Sequence, residues 1–275
     1  VEFRSVLLGR QRGFAIAELL TSLMVLGVLG TVVVRTILSA GRALRGQQER
    51  AGVESAFDLG TDYLAVELAG AARGDLVSIS PESVTYRAAR LTGLACLVTD
   101  SEIRVLEDRL SAIRSPQPGR DSVLLYTGAD SAATAGRGWV SLPLVGVRRS
   151  ACGTSQALSL ATSLDTGVVD LAALPMLVPV RTFEVMEARF YPSLGAIWLG
   201  ARSLTSGETV QPLAGPFEAT GTAFEFLDSA GLGTVVPAAV RIIQFRLAGR
   251  TVGWDGIRGA HIASAAASLA PENLR

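Results

Sequence analysis

Twenty-one consecutive residues, Phe14 to Val34, carry a single charge, and that charge is an acid near the start, Glu18. As a helix rising 1.5 Å per residue the run is roughly 31 Å long, the thickness of a bilayer's hydrocarbon core. A charged side chain at the centre of that core costs roughly 2.5–3.5 kcal/mol on insertion scales, so the acid asks for a reason. Arg35 closes the run, and its long stem can carry the guanidinium to the interface. Gly27 and Gly30 lie inside it, and small residues let helices approach closely in lipid.

Two ordinary readings fit an apolar N-terminal run. One is a cleaved secretory signal, with Ser39-Ala40-Gly41 as the small-residue site. The run is longer than a typical signal core, and an acid at its head is unusual there. The other is a single-span anchor, which explains the length and gives Glu18 no role. Arginine bias does not orient the span, because Arg4, Arg10 and Arg12 precede it while Arg35, Arg42, Arg45 and Arg50 follow it.

The third reading rests on the run Arg12-Gly13-Phe14-Ala15-Ile16-Ala17-Glu18-Leu19-Leu20. A basic leader ending in Gly, then Phe, then Glu at the fifth position after the junction resembles the N-terminus of type IV pilins and pseudopilins. The resemblance implies a leader Val1–Gly13, cleavage by a prepilin peptidase between Gly13 and Phe14, and N-methylation of Phe14. It also implies that Glu18 offsets the new α-amine of a neighbouring subunit, a pairing that low dielectric strengthens. Gly27 falls at the fourteenth mature position, where the family usually has Gly. Ala15, Ala17 and Arg35 depart from the major pilins and suit a minor member. The implied partners are other pilins or pseudopilins, the peptidase and an inner-membrane assembly platform. The implied location is the bacterial inner membrane, with the N-terminus cytoplasmic and the head periplasmic or extracellular in a filament.

Past the span, a helix can continue to Ala72. Phe57, Leu64, Leu68 and Ala71 recur at helical spacing and give it one apolar face. Gly46, Gly52 and Gly60 weaken it by about 1 kcal/mol each relative to Ala. From Leu76 onward, short β-favouring runs alternate with turn residues. The expected strands are Leu76–Ser80, Ser83–Ala88, Gly93–Val98, Glu102–Glu107, Ser122–Tyr126, Val140–Val147 and Ala157–Leu160. They continue with Met176–Val180, Thr182–Tyr191, Gly195–Gly200, Ala223–Leu227 and Ala239–Leu247. The last is apolar on both faces, as a strand well inside a sheet should be, with Pro237 just before it; pairing with Phe183–Tyr191 is plausible. Thr127–Arg137 and Ser203–Pro216 read as loops.

The expected class is therefore α+β. A long pilin-like N-terminal helix, its first half membrane-spanning, packs on an antiparallel β-rich head. The divisions are a leader at 1–13, a transmembrane or filament-core helix at 14–35, an amphipathic continuation at 36–72 and a head at 73–275. Head size and the late strand pattern resemble the J-type pseudopilins of type II secretion and the W-type minor pilins.

Sites for chemistry are sparse. With 25 basic and 25 acidic residues the net charge is zero, which gives nucleic acid no electrostatic footprint. His261 is the one histidine, and no HExxH or GxSxG run accompanies it. No catalytic residue, cofactor or metal site is expected. Asp100, Glu102, Glu107 and Asp108 are interleaved with Arg104 and Arg109, which favours a charge-paired solvated face over a calcium loop. Phe190, Tyr191 and Trp198 offer either an adhesive patch or core packing. Cys96 and Cys152 can pair if the domain lies outside the cytoplasm; two separate buried thiols are the alternative.

Overall fold

The computed structural model describes residues 16–72, 74–128, 138–163, 174, 177–251 and 261–269. The chain divides into two compact units, one built on helix residues 16–51, the other running from Gly52 through Arg250 with a further strand at His261–Leu269. A single helix, α1 (Ile16–Ala69), contributes to both and passes through Gly46, Gly52 and Gly60 without interruption.

In the first unit every side chain from Ile16 to Arg42 is exposed, apolar ones included. A helix that is apolar all round is built for lipid or for burial among other helices. In the second unit α1 behaves as an amphipathic helix. Ala56, Phe57, Leu64 and Leu68 are buried, while Glu54, Asp58 and Asp62 face solvent. Burying Leu64 and Leu68 stabilises by roughly 1.5–3 kcal/mol each. Gly60, which looks like a weak point in sequence, is buried where the helix packs closely on the sheets. A Cβ there would stand 3.4 Å from Leu199, Ala214 and Leu247. The helix ends at Ala69, three residues before the expected Ala72, and the Asp75 carboxylate accepts the Ala72 N–H at 2.7 Å.

The described residues of the second unit form the strands β1 (Leu76–Ser80), β2 (Ser83–Val98), β3 (Glu102–Leu106), β4 (Ser111–Ala112), β5 (Ser122–Tyr126), β6 (Trp139–Cys152), β7 (Ser155–Thr162), β8 (Val178–Ser193), β9 (Ala196–Ser203), β10 (Gln211–Phe217), β11 (Ala223–Leu227), β12 (Ile242–Thr251) and β13 (His261–Leu269). β2 and β8 pair antiparallel along most of their length, from Ser83↔Arg189 to Ala95↔Val178. Beyond them the pairing runs β2–β3, β3–β7, β7–β6, β6–β5 and β5–β8, so these six strands close on themselves as an antiparallel barrel. Closure leaves these strands no open edge over the barrel segment. Its interior is filled by alternate residues, among them Ile103, Val105, Val123, Leu125, Leu142 and Val180. On β6, buried Val140, Leu142 and Leu144 alternate with exposed Ser141, Pro143 and Val145. Gly93 permits the closure, since a Cβ there would stand 2.6 Å from Val105 Cγ1.

The other ends of β2 and β8 leave the barrel and join β1, β9 and β10 in an open sheet. Val84, Tyr86, Ala88, Met186, Ala188, Phe190 and Leu199 form a second core there with Phe57, Leu64 and Leu68 of α1. β11, β12 and β13 form a separate sheet, which adds Phe224, Phe226, Ile243, Phe245 and Leu247 to that core.

Several expectations are corrected. Ser83–Ala88 and Gly93–Val98 are one strand, as are the described part of Met176–Val180 and Thr182–Tyr191 (Met176 lies outside the described residues). The expected loop Ser203–Pro216 contains β10, whose exposed prolines suit an edge strand. Pro237 opens a 3-10 turn, Pro237–Ala239, and β12 begins only at Ile242. β12 is a central strand, as its two apolar faces require, but its neighbours are β11 and β13, not Phe183–Tyr191. The loop positions 129–137 lie outside the described residues.

Cys96 and Cys152 are joined, with Cα atoms 6.4 Å apart, so the end of β6 is tied to β2 across β3 and β7. The bridge spans 56 positions of chain and in the chain-entropy model stabilises by about 4 kcal/mol. Replacing both cysteines by Ser should lower the urea midpoint of the second unit, and reductant should do the same to the wild type. A midpoint indifferent to reductant would contradict this assignment.

Candidate functional site

Two places concentrate groups that ask for an explanation. The first is the apolar helix of the first unit. Leu19, Leu20, Leu23, Met24, Leu26, Leu29 and Val32–Val34 are all exposed, distributed round the whole circumference. The segment is long and apolar enough to cross a membrane, and none of its most apolar window is buried within the chain. Its polar side chains are satisfied along the helix. Thr21 donates to the Ala17 and Glu18 carbonyls at 3.0 Å, Ser22 to Glu18 at 2.7 Å, Thr31 to Val28 at 2.7 Å and Thr36 to Val32 at 2.9 Å. Hydroxyls that bond back one turn leave no unmet donor for lipid to accommodate.

Glu18 is the third residue of α1, in its first turn, and it is exposed. A carboxylate there lies close to the positive end of the helix dipole. Gly13 and Phe14 lie outside the described residues. No side chain approaches Gly27 or Gly30 within 4 Å of where a Cβ would stand.

The second place is a buried ionic cluster in the second unit. Glu184 on β8 is 1 % exposed. It accepts hydrogen bonds from Arg90 Nε at 3.1 Å, Arg114 Nη2 at 2.9 Å and Arg120 Nε. Arg90 also reaches Glu67 of α1 at 3.1 Å, and Tyr86 Oη donates to Glu67 at 3.4 Å. Arg114 grips Asp121 through two bonds of 2.6 and 2.7 Å, and Arg120 reaches Glu208 at 2.7 Å.

The backbone builds this cluster. On one face of β8, Val178 and Val180 point into the barrel core and Met186, Ala188 and Phe190 into the helix–sheet core; Glu184 stands between. On β2 the register shifts between Ala89 and Leu91, so Arg90 is the extra residue of a bulge. Bulges re-aim side chains, and this one accompanies the contact of Arg90 with Glu184. Burial pushes the Glu184 carboxyl up. The hydrogen bonds from Ser203, Arg114 and Arg120 and the Arg90 charge together outweigh it and hold the carboxyl below the usual range. A carboxylate so saturated has little basicity left for proton transfer, and its surroundings fit a structural junction.

The remaining candidates are placed as follows. Glu102 pairs with Arg104 and with Arg148 at 2.6 Å, and Asp108 with Arg109 at 3.8 Å, so part of the acidic run is charge-paired. Among the described residues, no three His, Cys, Asp or Glu come together as metal ligands would. Phe190 is buried against Phe224, with ring centres 4.7 Å apart, and Tyr191 and Trp198 are half-buried. His261 begins β13. The Glu184 cluster was not among the sequence candidates. Its signal was a single charge on a strand face that otherwise reads Met186, Ala188, Phe190.

Because the folded carboxyl sits below its unfolded value, Glu184 stabilises fully above the unfolded pKa of about 4.3, and that contribution is lost as pH falls through the folded value. Glu184→Gln should therefore cost about 3–5 kcal/mol at neutral pH, as expected when one partner of a buried ion pair is removed. It should also flatten the loss of stability between about pH 5 and 3. Urea melts of both proteins across that range check both statements.

No protein-family model, no curated protein and no solved structure matches this chain.

Proposed function

We propose that this chain is a minor pilin or pseudopilin. In this reading a prepilin peptidase cuts between Gly13 and Phe14 and Phe14 is methylated. The apolar helix first holds the subunit in the bacterial inner membrane, N-terminus in the cytoplasm, and then in the core of a type IV pilus or secretion pseudopilus. The head faces the periplasm or the exterior and works by shape and contact, without catalysis. Its bulk suits a tip or initiation complex better than a repeated shaft position. The partners are other pilins, the peptidase and the inner-membrane assembly platform.

One observation carries the reading: an acid five residues after a Gly-Phe junction heads a helix whose apolar circumference is wholly exposed and whose hydroxyls are internally satisfied. A plain anchor would gain nothing from Glu18. In a bundle of such helices the carboxylate can meet the α-amine of the next subunit, where low dielectric makes the pair strong.

Glu18→Ala and Glu18→Gln should insert into the membrane at wild-type levels while the assembled fraction falls at least tenfold, measured by shearing or cross-linking of filaments. Undiminished assembly in both variants would return the segment to the role of a plain anchor.

A further inference from the structure

We infer that the helix segment just past the apolar run is an anionic-lipid contact, built from Arg35, Arg42 and Arg45. All three lie on α1 in the first unit and are exposed, as is Arg50. Residues 35–50 contain four arginines and one acid, Glu49. At about 100° per residue, Arg35 and Arg42 are about 20° apart, and Arg45 and Arg50 flank them within an arc of about 140°. Ile37, Ala40 and Leu44 occupy the opposite side by the same count. By the same count Leu38 and Glu49 also fall within that arc, Glu49 about 21 Å past Arg35. From Arg35 to Arg45 the segment thus carries a face of arginines with Leu38 among them and an apolar face opposite, directly after a run that crosses hydrocarbon.

The assignment rests on the membrane-spanning reading of that run. Arg35 then stands at the hydrocarbon boundary. Along an upright helix Arg42 lies about 10 Å and Arg45 about 15 Å farther out. The headgroup layer and a Debye length of about 8 Å together reach that far. Arg50, roughly 22 Å out, lies beyond it. Basic residues this close to a surface attract anionic lipid, with an effect of roughly fivefold per residue. The partner is a phospholipid with a net negative headgroup, in the leaflet at the C-terminal end of the span. Such a contact would fix the depth of the helix and favour particular lipid around the subunit before it is withdrawn from the membrane.

The test uses the full chain in vesicles of phosphatidylcholine with about one-third phosphatidylglycerol. Cys96 and Cys152 are bonded to each other, so Ser39→Cys supplies a lone thiol for a fluorophore between Arg35 and Arg42. Quenching by labelled phosphatidylglycerol should exceed quenching by labelled phosphatidylcholine at least fivefold. The excess should vanish in 1 M salt and in the triple variant Arg35→Gln, Arg42→Gln, Arg45→Gln. Equal quenching by the two lipids, in protein that resists alkaline carbonate extraction, would overturn the lipid assignment alone. Protein that carbonate strips from the vesicles would overturn the membrane reading and this assignment with it.

Discussion

The pairing of Ser83–Val98 with Val178–Ser193 is the constraint on which the second unit depends. Each strand is 16 residues long, and each serves two cores, one inside the barrel and one beneath the helix. A face that is apolar at both ends must pass through a middle, and Arg90 and Glu184 meet there. A buried ion pair is weak evidence for stability in itself, because desolvation offsets much of the attraction. Its value here lies in position. Arg90 of β2 and Arg114 and Arg120 of the segment before β5 meet on the Glu184 carboxylate, and Arg90 and Arg120 reach on to Glu67 of α1 and to Glu208, so elements distant in sequence are joined through one carboxylate and its arginines. An error in β2–β8 register would strand these charges in apolar surroundings.

The first unit obeys the opposite rule. Where the second unit gathers apolar groups into two cores, residues 16–34 expose every apolar group and tie each hydroxyl back to the helix. The two halves of α1 are accordingly written differently. Up to Leu38 apolar residues circle the helix; from Val53 a buried face of Ala56, Phe57, Leu64 and Leu68 packs on the sheets, although Leu59 and Val66 remain exposed. Between them, residues 39–50 hold arginines and glutamines, the composition expected where one environment gives way to another.

Much of this was legible in the chain. The apolar run, the helix register of Phe57, Leu64 and Leu68, and strands such as Leu76–Ser80, Ser122–Tyr126 and Ala223–Leu227 follow from local periodicity. What local pattern could not give is closure. Glu102–Leu106 meets β2 as a local neighbour, but whether it also pairs with β7 is decided by residues more than fifty positions apart. The bulge at Arg90 splits β2 into two apparent strands, because one extra residue reverses the alternation. β10 hid among Pro and Gly that look like turn residues but lie on an edge. The Glu184 cluster is built from scattered positions, and its members are individually unremarkable arginines and acids. The Gly13-Phe14-Glu18 spacing rests on sequence, with Glu18 alone inside the described residues.

The central claim is that the N-terminal segment is processed and then retained as an assembly helix. The mass of the N-terminus, measured on protein purified from its native membranes, tests it most directly. A chain beginning at methylated Phe14 is the predicted result. A chain that retains Val1–Gly13 beside an active peptidase, or one that begins near Gly41, would contradict it.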